Sequence, residues 1–348
     1  MNVTIKDIAK AANVSHTTVS RALNDSPLIN DVTKRKIRRL AQELNYVPNV
    51  SAKSLVSHRS FNIGLFFSTL SRGTSAHFFY DVVREVSRGI KDQYNLIVKG
   101  IDEFEGNYRR ITPRQFDGVL VMSQSKADDD MVKQLIRQHI PVVLLNRPAA
   151  GLPLANIVSD DRIGAYRLVA HLVAQGHKRI AMIEGREGFM SSELRMQGYA
   201  DAMRDSDLRV DERLLRNGSY DVESGYEAMQ HLLGIRPQPT AVFCANDDMA
   251  VGAIKAIHEA GLGVPHDISV AGFDDSIFAA YTTPALTTVK RPVEQVSREG
   301  LRLLLDLIED KRRAGGHPSA PPEPVYLEAK LIIRQSVAEP VAPDAEQA

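Results

Sequence analysis

Two groups of side chains in this 348-residue chain have the types and spacing to recognise another molecule. The first lies close to the N-terminus, where His16, Thr17, Ser20, Arg21 and Asn24 recur on one side of a short segment with no acid among them. Hydroxyls, an imidazole, a guanidinium and an amide in that arrangement touch base edges and phosphates. The second group is spread along the chain: Asn146 with Arg147, Glu184, Arg195, Asn246 with Asp247 and Asp248, and Asp274 with Asp275. Amide, guanidinium and carboxylate groups converging in a cleft make paired hydrogen bonds to vicinal hydroxyls, which suits a sugar. Taken singly, each has a plainer reading as a helix cap, and Asp247 or Asp248 before Met-Ala-Val-Gly reads first as an N-cap.

The first group needs a helix to carry it. Thr4-x-x-Asp7 is a capping-box start, and Ile5, Ile8, Ala9 and Ala12 then share a face. Asn13 tolerates the left-handed angles of a helix end, Val14 fills the corner, and Ser15 caps a second helix whose Val19, Ala22 and Leu23 point inward. Two short capped helices of this kind place one helix in the major groove, although plain helical hairpins share the pattern. Asp31 is expected to cap a third helix with an Ile37, Leu40, Ala41, Leu44 stripe and Lys34, Arg35, Lys36, Arg38 and Arg39 around it. Residues 1–60 hold ten Lys and Arg against four acids, a net +6 in a chain that is neutral overall. A basic head on an acidic body is the asymmetry of a protein whose head alone meets a polyanion.

The second group needs strand ends. Apolar runs at 61–67, 95–100, 117–122, 141–146, 179–185, 240–246 and 268–274 alternate with helical stretches at 78–93, 128–138, 162–175, 193–204, 222–233, 249–260 and 292–309. Such alternation implies parallel sheets covered on both faces, and about 270 residues of it suit two doubly wound sheets with a midpoint near 156–161. The crevice at the carboxyl ends of their strands is where ligands of open α/β folds bind.

Other chemistries lack their residues. There is no phosphate-binding Gly-x-x-x-x-Gly-Lys-Ser/Thr, no Gly-x-Gly-x-x-Gly after a strand, no Gly-x-Ser-x-Gly, no His-Glu-x-x-His and no paired cysteine. An enzyme is therefore disfavoured, and neither cofactor nor metal is expected. The single Cys244 sits in an apolar run and reads as a buried strand residue. With no signal peptide and no run of about 20 apolar residues, the protein is expected in the cytoplasm, away from membranes. That also counts against a carrier-type sugar-binding protein, which would need an export signal in place of the basic head.

In combination these features resemble the LacI/GalR family of bacterial transcription regulators. The residues that carry the resemblance are Thr4-Ile5-Lys6-Asp7, Val14-Ser15-x-x-Thr18-Val19-Ser20-Arg21-x-Leu23-Asn24, Leu44-Asn45-Tyr46-Val47-Pro48-Asn49 and Ala52-Lys53-Ser54-Leu55. They continue with Gly176-His177-Lys178-Arg179-Ile180, Arg195-Met196-Gln197-Gly198-Tyr199, Ala245-Asn246-Asp247-Asp248-Met249-Ala250, Val264-Pro265-x-Asp267-Ile268-Ser269-Val270, Gly272-Phe273-Asp274-Asp275 and Leu286-Thr287-Thr288-Val289. The fold implied is an all-α helix-turn-helix head at 1–46, a hinge at 47–60 and a body of two parallel-sheet subdomains, like periplasmic binding proteins, at 61–335. The N-subdomain would take 61–158 and 292–313, and the C-subdomain 159–290 and 325–335. The tail at 336–348, with two prolines and no heptad, is expected to be disordered, so the family's leucine-heptad tetramer is not expected and a homodimer is.

The resemblance further implies that His16, Thr17 and Arg21 read bases of a palindromic operator, while Ser15, Thr18, Ser20, Asn24, Tyr46 and Asn49 hold phosphates. Ala52, Lys53 and Leu55 would enter the minor groove from a hinge helix, with Leu55 as the wedge. Lys53 stands where the family usually has Arg, a point charge in place of a planar fork. A small-molecule effector would be held by Asn146, Ser191, Arg195, Tyr220, Asn246 and Asp274, with Tyr220 stacking on a sugar face. The chain departs from the family pattern at Ala76-His77-Phe78-Phe79, in place of Asn-Pro-Phe-Phe, and between residues 100 and 117, which leave little room for the customary helix. The implied function is a repressor of carbohydrate-utilisation genes released by a sugar. The alternative is a corepressor-dependent regulator, as in purine-responsive members.

Overall fold

The computed structural model describes residues 3–23, 25–46, 59–71, 73–149, 151–314 and 323–341. The chain divides into two compact units, residues 1–59 and 60–348.

In the first unit, α1 (Ile5–Ala12), α2 (His16–Leu23) and α3 (Asp31–Glu43) enclose a small core of Ile8, Ala9, Ala12, Val19, Ala22, Ile37 and Ala41. Its helix ends follow the sequence. Asp7 accepts from the Thr4 amide at 2.8 Å and the Thr4 hydroxyl at 2.7 Å, Asn13 takes the left-handed conformation at φ 56°, and Ser15 Oγ accepts from the Thr18 amide at 3.0 Å. The cap of α3 is Asn30 rather than Asp31: its Oδ1 accepts from the Thr33 amide at 2.8 Å, which makes Asp31 the first helical residue. Part of the basic run on α3 is spent inside the unit, since Lys34 and Arg38 clamp Asp25 and Lys36 donates to the Ala12 carbonyl.

Among the described residues the second unit contains two parallel sheets and a short antiparallel pair. The first is wholly parallel in the order β11-β5-β4-β3-β1-β2, from β1 (Asn62–Phe67), β2 (Asn95–Gly100), β3 (Gly118–Met122), β4 (Val142–Leu145), β5 (Ala155–Ser159) and β11 (Val325–Leu327). Alternation along β1 sends Ile63, Leu65 and Phe67 into one core and Phe66 into the other, so both faces are covered. The helices are α4 (Ala76–Ile90), α5 (Asp129–Arg137) and α10 (Val293–Ala314). Between β2 and β3 there is no helix, only 3-10 turns at Asp102–Phe104 and Tyr108–Arg110, with Ile101, Ile111 and Phe116 buried beneath them.

The second sheet, also parallel, runs β7-β6-β8-β9, from β6 (Ile180–Glu184), β7 (Leu215–Asn217), β8 (Ala241–Cys244) and β9 (Ser269–Ala271). It is flanked by α6 (Asp161–Ala174), α7 (Met190–Asp205), α8 (Val222–Leu233) and α9 (Asp247–Glu259). α8 and α9 approach closely because both carry glycine at the crossing: a Cβ on Gly252 would lie 2.0 Å from the Val222 carbonyl. A short antiparallel pair, β10 (Thr288–Lys290) with β12 (Lys330–Ile332), completes the fold.

Two boundaries differ from expectation. Residues 325–327 belong to the first sheet, where Tyr326 registers with Val158, rather than to the C-subdomain. Of the tail expected to be disordered from Ser336, residues 336–341 are described, and the segment 336–338 is docked. Ser336 is fully buried, its Oγ accepts from the Thr287 amide at 2.8 Å, and Ala338 bonds Ser269 Oγ and His177. These backbone and hydroxyl partners hold a segment whose two prolines and missing heptad suggested disorder. The hinge assigned to 47–60 lies outside the described residues as far as 58.

Candidate functional site

On the first unit, His16, Thr17 and Arg21 are exposed on α2. Ser15 is engaged as cap and lies 2.8 Å from the Thr18 hydroxyl; Thr18 and Ser20 are half-buried, and Tyr46 is half-buried against the head core. Asn24, Asn49, Ala52, Lys53 and Leu55 lie outside the described residues.

In the second unit the strand order reverses between β1 and β3 and between β6 and β8. These are the switch points at which open α/β sheets leave a crevice. There a cleft of about 270 Å3, part of it open to solvent, lies between the subdomains. Gly73, Ser75, Phe78 and Gln124 wall it from the first; Ser191, Arg195, Tyr220, Asn246 and Asp274 wall it from the second; Arg291 lies where the chain crosses between them. The rims touch. The Met190 amide donates to the Gln124 carbonyl at 2.7 Å, and the rings of His77 and Phe278 are 4.7 Å apart.

At the centre is an ionic cluster. Arg195 donates from Nε and Nη2 to Asp161 Oδ2 at 3.0 and 2.7 Å, and from Nη1 to the Ala245 carbonyl, with its guanidinium 4.0 Å from the centre of the Phe273 ring. Arg291 donates to Asp161 Oδ1 at 3.2 Å and to Asn146 Oδ1, and packs over Phe78. Both guanidinia lie 3.5 Å from Asp274 Oδ1, yet that buried oxygen has no hydrogen-bond partner among the described residues. Burial pushes the Asp161 carboxyl up, but Arg291 and Arg195 outweigh it and hold the group below the ordinary carboxylate range. For Asp274 burial wins over the same two arginines and its carboxyl is raised. The cluster thus saturates Asp161 and leaves Asp274 an open acceptor in a cleft with aromatic walls.

Of the six residues assigned to a ligand, five line this cleft. Ser191 is bonded to the Tyr220 hydroxyl at 2.8 Å, and Tyr220 has its ring 5.7 Å from Arg195. Gly185 makes room for that ring, since a Cβ there would lie 2.1 Å from it. Asn246 lines the cleft and is also the N-cap of α9: it accepts from the Met249 amide at 2.9 Å and donates to the Tyr220 carbonyl at 3.0 Å. The cap role expected of Asp247 or Asp248 therefore belongs to Asn246. Asn146 is not on the cleft wall; it is buried behind, holding Arg291 and the Ser123 carbonyl. Arg147 is bound to Ser123, Asp129 and Pro148, Glu184 is half-buried away from the lining, and Asp275 is engaged by Arg334 at 2.6 Å. Asp161 and Arg291 were missed: one follows β5 and the other β10, short strands that were not recognised. Among the described residues no group of His, Cys, Asp and Glu is arranged to hold a metal, and no helix is long and apolar enough to cross a membrane.

Residues 4–49 match the description "Bacterial regulatory proteins, lacI family", and residues 169–337 match a periplasmic binding protein-like domain. The chain is 48% identical over 335 residues to the probable HTH-type transcriptional repressor ExuR of Bacillus subtilis, covering 96% of this chain and 98% of that one. It resembles the lac repressor dimer bound to operator and the anti-inducer ONPF (TM-score 0.82, 27% identity, 97% and 100% covered) and a complex of the transcriptional regulator CelR with cellobiose (TM-score 0.71, 29%, 96% and 100%). Head, doubly sheeted body and full-length likeness agree: the chain belongs to the LacI family of bacterial transcriptional repressors.

Proposed function

We propose that this repressor acts in the cytoplasm as a homodimer on palindromic operator DNA and is released by a sugar or sugar derivative bound in the cleft. The observation that carries the effector is Asp274: it lines a cleft walled by Phe78 and Tyr220, and its Oδ1, 3.5 Å from the Arg195 and Arg291 guanidinia, has no hydrogen bond among the described residues. A carboxylate accepts from two adjacent hydroxyls and an aromatic ring covers an apolar sugar face. Likeness to a regulator solved with cellobiose supports the same reading. Arg195 and Asp274 grip the ring hydroxyls, with Ser191, Tyr220 and Asn246 around them and Asn146 acting through Arg291. His16, Thr17 and Arg21 read bases, and Ser15, Thr18, Ser20, Asn24, Tyr46 and Asn49 hold phosphates. Ala52, Lys53 and Leu55 engage the minor groove.

Gel shift on a palindromic duplex with and without individual sugars tests this. Release is expected at sugar concentrations that occupy the cleft. Retention of the duplex with every sugar that demonstrably binds overturns induction, and tighter binding means corepression.

A further inference from the structure

Asp247 is fully buried at the first turn of α9, yet it neither caps the helix nor lines the cleft. Its two carboxylate oxygens are spent on different segments: Oδ1 accepts from the Thr288 hydroxyl at 2.6 Å, and Oδ2 accepts from the Ser276 amide at 2.6 Å. Its own amide donates to the Phe273 carbonyl at 2.9 Å, and Gly272 lies so close that a Cβ there would be 2.3 Å from Oδ1. Asp247 therefore grips both ends of residues 273–276. Within that span Asp274 and Asp275 take successive positive φ angles of 113° and 54°, a strained pair of conformations that persists only where the surroundings enforce it. The Thr288 hydroxyl also meets the Asp275 amide at 3.4 Å, and Arg334 holds the Asp275 carboxylate.

We propose that Asp247, with Thr288, is the positioning pair for effector recognition. It locks the strained 273–276 loop so that the Asp274 carboxylate stays aimed at the cleft instead of relaxing into full contact with Arg195 and Arg291. The proposal rests on the sugar-cleft reading above. Without the lock the loop escapes its left-handed angles, Asp274 rotates onto the guanidinia, and the open acceptor is lost.

The test uses the full chain with Asp247→Ala, Thr288→Val, Thr288→Ser and, as a control on the cleft itself, Asp274→Ala. In ligand-free protein the Ser276 amide is expected to exchange with solvent about tenfold faster in Asp247→Ala and Thr288→Val, and near the wild-type rate in Thr288→Ser. Thermal stabilisation by an equimolar mixture of D-glucose, D-galactose, D-glucuronate and D-galacturonate should be lost in the first two and in Asp274→Ala, and kept in Thr288→Ser. Two results overturn the proposal: unchanged Ser276 exchange in Asp247→Ala and Thr288→Val, or full stabilisation of both beside an unresponsive Asp274→Ala. Failure of Thr288→Ser to recover assigns Thr288 to general packing and also overturns it. Stabilisation of Asp274→Ala equal to wild type removes the cleft reading itself. The exchange measurement needs no ligand, so it decides even for an effector outside the mixture.

Discussion

Asp161 shows how a buried charge is kept. The residue is only 2% exposed, yet the guanidinia of Arg195 and Arg291 bond both of its carboxylate oxygens, so the desolvation cost is matched by attraction and hydrogen bonds. Taking away the acid would leave two buried cations with only the more distant Asp274 beside them. Asp161→Asn should therefore destabilise the second unit by about 3–5 kcal/mol, read as a fall in the urea midpoint at constant slope. A loss below about 1 kcal/mol would show that the arginines find water instead. At this scale the sequence was informative where a polar side chain stood at a strand end: Arg195, Asn246 and Asp274 were assigned to the cleft and line it. Asn146 and Arg147, which share β4's end, turn instead to neighbours behind that wall. A strand end fixes where a residue is, not which way a long or amide side chain finds its partner.

Among elements, the long periodic ones were legible. The helix expected at 222–233 is found with those ends, because Asp221 caps it and a glycine follows it. The strands at 215–217, 288–290, 325–327 and 330–332 were not seen, since three residues show no period and are held by their neighbours. The docking of the tail was equally hidden. It depends on His177, whose Nδ1 is 2.9 Å from the Thr240 hydroxyl and whose Nε2 is 2.9 Å from the Ala338 carbonyl. Burial depresses the His177 imidazole below its ordinary value of 6.5, the Ala338 carbonyl opposing only in part. Between the depressed value and 6.5 the unfolded chain binds more protons than the folded one. The stabilising effect of the neutral ring is thus complete above 6.5 and falls as the pH drops through that window. His177→Gln keeps a donor for Ala338 but does not titrate. Urea midpoints at pH 5.0–7.5 should fall less steeply with acid for this variant, and an identical pH dependence would free His177 of the role.

At the scale of the whole molecule, the chain passes between the two subdomains of the second unit at 159–161, at 290–293 and at 327–330, and the cleft's ionic cluster is built on the first two passages. Asp161 opens α6 just after β5, and Arg291 lies between β10 and α10, so their ion pair ties the passages together while Arg195 and Asp274 connect it to the cleft. A ligand that takes hydrogen bonds from this cluster changes the forces on the segments that join the subdomains. Such coupling is a free energy and runs both ways. If a sugar weakens operator binding by some factor, the operator must weaken sugar binding by the same factor, typically about 5–150-fold for coupled sites. The chain has no tryptophan, so calorimetric titration of the sugar, with and without a saturating palindromic duplex, is the direct measurement. The ratio of the two sugar affinities should equal the ratio of operator affinities measured by gel shift with and without sugar. A sugar affinity indifferent to the duplex, beside a clear sugar effect on the gel, would mean that the sugar acts at a site other than this cleft or on another component. A ratio of the opposite sense would make the same cluster a corepressor switch, in which ligand and operator tighten one another.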